Sequence, residues 1–292
     1  MLHPDSSLAV RSLRKMSSSE IYFKSLNPLA PRTLLLLHGA FSSHREWDLV
    51  SAHLSAYHLL VPDLPAHGRS TSSSIPFTIP DTAALLADLV IKHAKNGKAD
   101  FIGMSLGGYT AIYAAQKYPH VIGTGGLFLT GCGKPWSRPG SFMTWASGLV
   151  LSLTGWMLHY LPKSLFRWVC KKTGVQISDE LLADMKVASP YRLGQTVARA
   201  VAEDPANPER NWRGLSERVT ARTCVVAGLL DDGEKDCLER GKQLRKGNPE
   251  SMAFKVEGKR HAWDLQDPEL FARGVKAWLE REELPEEFIR LW

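Results

Sequence analysis

The chain has 292 residues, of which 44% are hydrophobic, and its formal net charge at pH 7 is +6. That length is sufficient for one large domain with a substantial buried core. The Lys and Arg residues are spread along the chain and form no basic stripe interleaved with aromatic residues, which argues against nucleic-acid binding.

The first twenty residues are polar, basic and rich in serine, so we expect residues 1–20 to form a flexible extension. They contain no apolar stretch of the kind found in secretory signals, although a weak organelle-targeting role stays open. The four cysteines form no Cys-x-x-Cys pair, which favours a reducing, cytoplasmic compartment. No His-Glu-x-x-His motif or carboxylate cluster is present, so we expect no metal ion.

The first strand signal is the apolar run 33–37, which ends at the loop His38-Gly39-Ala40-Phe41. We expect His38 to hold this loop in place rather than to act as a base. A second strand signal, 60–62, leads into another loop, in which we expect Asp63 and His67 to be structural. Residues 81–93 then place apolar side chains at helical spacing.

The strongest motif is Gly103-Met104-Ser105-Leu106-Gly107, which follows the apolar pair Phe101-Ile102 and precedes the helix-like segment 108–118. This order predicts a strand, a sharp turn and a helix. Glycines on both sides of such a turn let the neighbouring backbone pass closely and leave the serine hydroxyl exposed. Ser105 is therefore a candidate nucleophile, and an ordinary Gly/Ser turn is the alternative.

Acyl transfer places negative charge on the former carbonyl oxygen of the substrate, and two backbone N–H groups must stabilise that charge. We expect one N–H from Leu106, the residue after the candidate nucleophile. We expect the other from Ala40 in the loop after the first strand, with Phe41 as the neighbour that could replace it.

In the middle of the chain, from about residue 134 to 213, the strand pattern disappears. Residues 141–162 carry no Lys, Arg, Asp or Glu, and this span is long enough for a membrane helix. Because it contains several Ser, Thr and Gly residues and lies between two halves of one predicted sheet, we expect a pair of helices with apolar faces instead.

The last third of the chain supplies candidate partners for Ser105. The run 223–228 predicts a buried strand, and Asp231 and Asp232 follow it in the next loop. Another strand, 252–256, is followed by a polar turn and His261, and a helix over 270–279 comes next. A serine nucleophile needs a general base and a group that orients that base. His261 is the candidate base, and either aspartate could orient it.

With these motifs in this order, the chain resembles the α/β-hydrolase superfamily. The resemblance implies an α/β fold, in which a mostly parallel twisted central sheet carries helices on both faces and an inserted helical cap. It also implies a catalytic triad of Ser105, Asp231 and His261 that works without a cofactor. Asp231 is preferred because its spacing from Gly228 is the usual one in these hydrolases, so Asp232 would be a turn or helix-capping residue.

The same resemblance divides the chain into an extension, a core and a cap. The core would comprise residues 21–133 and 214–292, and the cap residues 134–213. We expect the apolar cap side chains Phe142, Trp145 and Trp156 to face the pocket and, together with Phe41 and Met104, to bind substrate.

The expected function is therefore hydrolysis of an apolar carboxylic ester through an acyl-enzyme, with a hydrophobic small molecule as substrate. Two alternatives stay open: a thioesterase or carbon–carbon bond hydrolase of a biosynthetic pathway, and a ligand receptor that keeps the triad without turnover. The basic residues Lys163, Arg167, Lys171 and Lys172 beside the apolar cap would also suit weak contact with an anionic membrane surface.

Overall fold

The computed structural model describes residues 21–70, 77–133, 142–187 and 191–292, so the predicted extension 1–20 lies outside it. Within these ranges the strands form one eight-stranded sheet in the order β1-β3-β2-β4-β5-β6-β7-β8. The strands are β1 (Phe23–Leu26), β2 (Thr33–Leu37), β3 (His58–Pro62), β4 (Ala99–Met104), β5 (Ile122–Thr130), β6 (Thr223–Gly228), β7 (Met252–Val256) and β8 (Phe288–Arg290).

The sheet is parallel from β3 to β7 and antiparallel only where β1 and β8 join its edges. Its central strands are buried on both faces, which explains why β2, β4 and β6 are continuous apolar or small-residue runs rather than alternating ones. The fold class expected from the sequence, α/β with a mostly parallel sheet, is confirmed.

The helices are α1 (Asp48–Ala52), α2 (Ile79–His93), α3 (Leu106–Lys117), α4 (Phe142–Tyr160), α5 (Lys163–Thr173), α6 (Asp179–Val187), α7 (Tyr191–Ala200), α8 (Trp212–Glu217), α9 (Glu234–Gly247), α10 (Trp263–Gln266) and α11 (Pro268–Glu280). None of the helices in the described ranges has the length and apolar composition needed to cross a membrane.

Two apolar layers cover the two faces of the sheet. One layer packs side chains of α2, α3 and α9, such as Leu89, Ile112 and Leu244, on the sheet. The other is aromatic and includes Trp47 and Phe271. The central strands are therefore held from both sides, and the loops at their ends start from fixed positions.

The parallel strands end at one edge of the sheet. Leu37 of β2 pairs with Gly103 of β4, and Thr130 of β5 pairs with Val226 of β6, so the loops after these strands begin side by side. Ligand sites in open α/β sheets form at this carboxyl edge.

Helices α4 to α7 lie between β5 and β6 in the chain, where the sequence predicts an insertion. They contact loops at the carboxyl edge on two sides. Asp184 of α6 accepts a hydrogen bond from Ser43 Oγ, and its carboxylate lies 3.2 Å from Arg45 Nε. The segment between α5 and α6 is held to the last turn of α10 by a hydrogen bond from Gln176 N to Leu265 O.

Candidate active site

Ser105 occupies the sharp turn between β4 and α3. Its backbone dihedrals are φ 49° and ψ −110°, which an L-residue adopts only under strain. Hydrogen bonds hold the turn on both sides: Ser105 N donates to Thr130 O at 2.8 Å, and Ser105 O accepts from the N–H of Gly108 at 2.9 Å. The strained turn presents the hydroxyl at the carboxyl edge of the sheet.

The glycines of the motif are needed because backbone approaches them closely. A Cβ on Gly107 would lie 2.1 Å from Leu37 O at the end of β2. A Cβ on Gly103 would lie 2.8 Å from the backbone of Gly107 and Gly108. The helix that begins after Ser105 can therefore pack directly on the strand ends only if both positions lack side chains.

His261 lies in the loop between β7 and α10, and its ring packs against the end of β5. A Cβ on Gly131 would meet the imidazole Cε1 at 2.6 Å. Gly131 directly follows Thr130, whose carbonyl binds Ser105 N. The structure therefore brings the predicted nucleophile and the predicted base to the same strand end.

The imidazole is oriented by Asp232, because Asp232 Oδ1 lies 2.6 Å from His261 Nδ1. The other oxygen, Oδ2, accepts the N–H of Gly228 at the end of β6. Within the described ranges no hydrogen bond joins the Ser105 hydroxyl to the imidazole. In free active sites such bonds often tighten only when substrate binds.

The expected role of Asp231 as the orienting acid is wrong. Its carboxylate accepts the backbone N–H of His261 at 3.1 Å and the guanidinium of Arg260 at 3.2 Å, so it fixes the loop and not the ring. The physical reason is the turn after β6: the N–H groups of Asp231 and Asp232 both donate to Gly228 O. This tight turn directs the second aspartate, and not the first, toward the imidazole.

Asp232 also sets the charge state of the base. Partial burial acts to lower the pKa of His261, but the hydrogen bond and negative charge of Asp232 outweigh it and hold the pKa above its ordinary value of 6.5. A carboxylate on Nδ1 places the proton there and leaves Nε2 as the acceptor.

The two predicted oxyanion donors lie at neighbouring strand ends. Ala40 follows β2, Leu106 opens α3, and the Met104 sulfur packs where a Cβ on Gly39 would stand. Within the described part of the chain neither the Ala40 N–H nor the Leu106 N–H has a protein acceptor. Both groups are therefore available to a ligand, as the sequence predicts, and their catalytic role stays a prediction.

His38 has the structural role expected for it. Its Nδ1 lies 2.7 Å from Gly39 O, and its Nε2 accepts the N–H of Leu64 at 3.0 Å. Burial lowers its pKa, which favours the neutral ring that this pattern requires. Asp63 is likewise a loop-shaping residue, because it binds the backbone N–H groups of His44 and Arg69.

The predicted substrate-binding residues separate into two groups. Phe41, after β2, and Met104, directly before Ser105, are buried, and their role in substrate binding stays a prediction. Phe142, Trp145 and Trp156 instead lie on the outside of α4, each more than half exposed, so the expectation that they face the pocket is wrong. Apolar residues of the inserted helices that do pack inward are Leu158, Leu193 and Val197.

A cavity of about 460 Å³ opens beside His261. Its lining includes three carboxylates, those of Asp231, Asp232 and Asp236, but neither Ser105 nor the two predicted oxyanion donors. A cavity of this size accommodates a small organic molecule.

Sequence reasoning missed a buried pair of acids behind the imidazole. Glu46 accepts the N–H of Gly39 in the predicted oxyanion loop, and the carboxyl of Asp264 in α10 is close enough to interact with it electrostatically. Both side chains are buried, and two such carboxyls in contact cannot both be ionised at low cost. Burial raises the pKa of Glu46 to about 7, and burial together with the charge of Glu46 raises the pKa of Asp264. The two positions lie in opposite halves of the chain, so no local motif links them.

Comparison with known proteins shows which family the chain belongs to. The model of the alpha/beta hydrolase family matches residues 34–274. A protein of Gibberella zeae named as an AB hydrolase superfamily protein is 30% identical over 98% of this chain and 93% of its own length. A pimeloyl-[acyl-carrier protein] methyl ester esterase of Xanthomonas oryzae is 37% identical, but over only 31% of this chain and 34% of that enzyme. Among solved structures, a thermophilic esterase from Thermogutta terrifontis aligns with a TM-score of 0.67 at 18% identity, covering 89% of this chain and 93% of that one.

The role of Asp232 predicts an effect on the imidazole. Asp232→Asn should lower the pKa of His261, because it removes both the negative charge and the charge-assisted hydrogen bond. The matched variant Asp231→Asn should lower that pKa less, since this carboxylate binds the backbone. Titration of the His261 ring protons by NMR checks the difference. A larger drop in Asp231→Asn would contradict the assignment.

The acid pair predicts how stability depends on pH. Because the pKa of Glu46 is raised in the folded state, the folded chain binds its proton more tightly than the unfolded chain does. Stability is therefore lost as the pH rises from the ordinary carboxyl pKa, near 4.5, to about 7. Asp264→Asn should reduce this loss by about 1–2 kcal/mol, because it removes the second buried acid, whose own raised pKa acts in the same direction.

Urea unfolding at about pH 5.5 and about pH 8 measures that loss. The control is Asp48→Asn, which removes a partly exposed carboxyl on α1 and should leave the pH dependence unchanged. An equal or larger loss in Asp264→Asn than in the wild type would contradict a raised pKa of Asp264 in the folded state.

Proposed function

The chain belongs to the alpha/beta hydrolase family, and from this we propose that it is a serine hydrolase that cleaves apolar carboxylic esters. The observation that carries the proposal is the strained Ser105 turn, which shares a strand end with a histidine already oriented by a carboxylate. Three groups of the required types meet in the required order, nucleophile, base and orienting acid.

In the proposed mechanism, His261 Nε2 takes the proton of Ser105 Oγ as this oxygen attacks the ester carbonyl. Asp232 accepts the Nδ1–H and stabilises the imidazolium that forms. The backbone N–H groups of Ala40 and Leu106 bind the oxyanion. His261 then gives its proton to the leaving alcohol, which departs and leaves an ester on Ser105.

Water completes the reaction in a second, matching step. The neutral His261 removes a proton from water, which attacks the acyl carbonyl while the same N–H groups hold the oxyanion. Return of that proton to Ser105 Oγ releases the carboxylic acid and restores the enzyme. The protein's own side chains and backbone provide every group in this cycle.

Two features support an uncharged, apolar ester as substrate. The carboxylates of Asp231, Asp232 and Asp236 line the cavity beside His261 and disfavour an anionic ligand. Phe41 and Met104 add buried apolar surface next to the Ser105 turn. The local similarity to a methyl ester esterase of Xanthomonas oryzae also favours an ester bond.

The inserted helices fit the role of a cap in this proposal. They are attached to Ser43 on one side of the site and to Leu265 on the other, so they stand over the carboxyl edge. We also propose a reducing compartment, since all four cysteines are free and buried.

Hydrolysis of p-nitrophenyl esters with short and medium acyl chains tests the reaction directly. Ser105→Ala and His261→Ala should each lower kcat by roughly a thousandfold or more, because each removes a group that acts in both steps. The exposed residues Ser55 and His53 supply matched controls, and their alanine variants should keep wild-type activity.

Other outcomes of that assay would overturn parts of the proposal. Faster hydrolysis of the corresponding acyl thioesters would replace ester with thioester as the substrate class. Thermal stabilisation by esters without any product would instead indicate a receptor.

The charge state of His261 predicts the pH profile of the proposed reaction. The base must be neutral to accept a proton, and its pKa lies above 6.5. We therefore expect kcat/KM to fall on the acid side along a limb whose midpoint lies above 6.5. Initial rates between about pH 5 and pH 9 measure this limb. Full activity maintained well below the midpoint would exclude His261 as the base.

A further inference from the structure

The outer side of helix α4 is an exposed apolar surface. Seven of its large side chains are between 51% and 74% exposed: Phe142, Trp145, Val150, Leu153, Trp156, Met157 and Tyr160. They recur at helical spacing over the whole helix, and Trp156 packs against Tyr160 at 5.1 Å between ring centroids. Contiguous apolar surface of this kind on a water-soluble domain marks a binding surface.

The packing of α4 fixes this orientation. Its inner side carries small residues, among them Gly148 and Ser152, and these pack tightly on α7. A Cβ on Gly194 of α7 would lie 2.4 Å from Ser152 N, and a Cβ on Gly148 would lie 2.4 Å from Gln195 Oε1. Only the small-residue side of α4 fits this contact, so its aromatic side must face outward.

Helix α5, which follows α4 after two residues, carries further exposed apolar side chains and positive charge. Leu165, Trp168 and Val169 are exposed at neighbouring helical positions. Lys172 shares their side of the helix, since its Nζ lies 6.0 Å from the centre of the Trp168 ring. Lys171 is also exposed beside it. Aromatic and aliphatic side chains next to lysines are typical of helices that lie in a membrane interface.

The charge on these two helices has one sign. Together, α4 and α5 contain Lys163, Arg167, Lys171 and Lys172 and no Asp or Glu. Arg167 is paired with Asp179 at the start of α6, which leaves Lys171 and Lys172 available to an external anion. An apolar face beside unpaired cations complements a bilayer that has an apolar interior and anionic headgroups.

We propose that the exposed residues of α4 and α5 form a docking surface for an anionic phospholipid membrane. The aromatic side of α4 lies in the plane of the interface at the depth of the headgroups, and Lys171 and Lys172 contact lipid phosphates. Because its inner side stays packed on α7, α4 lies along the bilayer and does not cross it. This proposal names a partner surface and is independent of the serine chemistry.

Sedimentation with vesicles tests the docking surface. The protein should bind vesicles of phosphatidylcholine mixed with phosphatidylserine, and less strongly those of phosphatidylcholine alone. The double variant Trp145→Ser, Trp156→Ser should weaken the partition coefficient by roughly tenfold or more, because two large side chains no longer leave water. Lys171→Gln with Lys172→Gln should weaken binding to the mixed vesicles by about fivefold per residue at low salt.

Matched controls distinguish binding by this surface from non-specific membrane binding. Ile91→Ser removes an exposed apolar side chain on α2, and Lys98→Gln with Lys242→Gln removes two exposed cations elsewhere. These variants should bind vesicles like the wild type. Since all the altered side chains are exposed, each variant should keep the circular dichroism spectrum and the thermal unfolding midpoint of the wild type, which checks that it is folded.

Two results would overturn the proposal. One is wild-type protein that stays in the supernatant with both kinds of vesicle at low salt. The other is a concentration-dependent dimer that the double tryptophan variant abolishes, which would assign the surface to a second copy of this chain.

Discussion

The site depends on the hydrogen bonds of one residue, Thr130, at the end of the central strand β5. Its carbonyl accepts Ser105 N, which holds the strained turn against the sheet. Its hydroxyl accepts the indole N–H of Trp263 at 2.7 Å and donates to Val226 O, which ties the histidine loop and β6 to the same point. The nucleophile, the base and the strand that leads to the acid are therefore positioned relative to one buried residue. Strain at Ser105 persists because these contacts fix it from several directions.

Much of the fold was predictable because its signals are local. The strands 33–37, 223–228 and 252–256 have the predicted bounds, since each is a short apolar run between turn residues. The turn at Ser105 was equally clear, because a strand-to-helix turn of this kind needs glycines on both sides of the serine to avoid steric clashes. Some helices begin one or two residues before the predicted start, because the N-cap residue lies outside the apolar pattern, as Thr78 does before α2.

The errors came from contacts between distant parts of the chain. Asp231 and Asp232 are adjacent, and only the turn geometry after Gly228 and the position of the His261 loop decide which one meets the ring. Helix α4 is apolar on most of its surface, so its sequence does not show that Gly148 and Ser152 are the inner side. That choice is made by close packing on α7. Because α4 packs on α7 through its small residues, its aromatic side chains form an outer surface and do not face the pocket.

The buried acid pair and the inserted helices contact the same two segments of the site. Glu46 lies in the segment after β2 and Asp264 in the helix after His261, so their buried carboxyls interact across these two segments. The inserted helices are attached to these same segments through Asp184 and Gln176.

The proposed chemistry requires that Ser105 is a nucleophile activated by His261. Treatment with a fluorophosphonate, followed by peptide mass spectrometry, measures this directly because the probe forms a stable adduct with an activated serine. We expect one adduct, on Ser105, which forms in the wild-type protein and is lost in His261→Ala while the fold is retained. An adduct that forms equally without His261, or a folded and accessible wild-type protein that is not labelled, would contradict it.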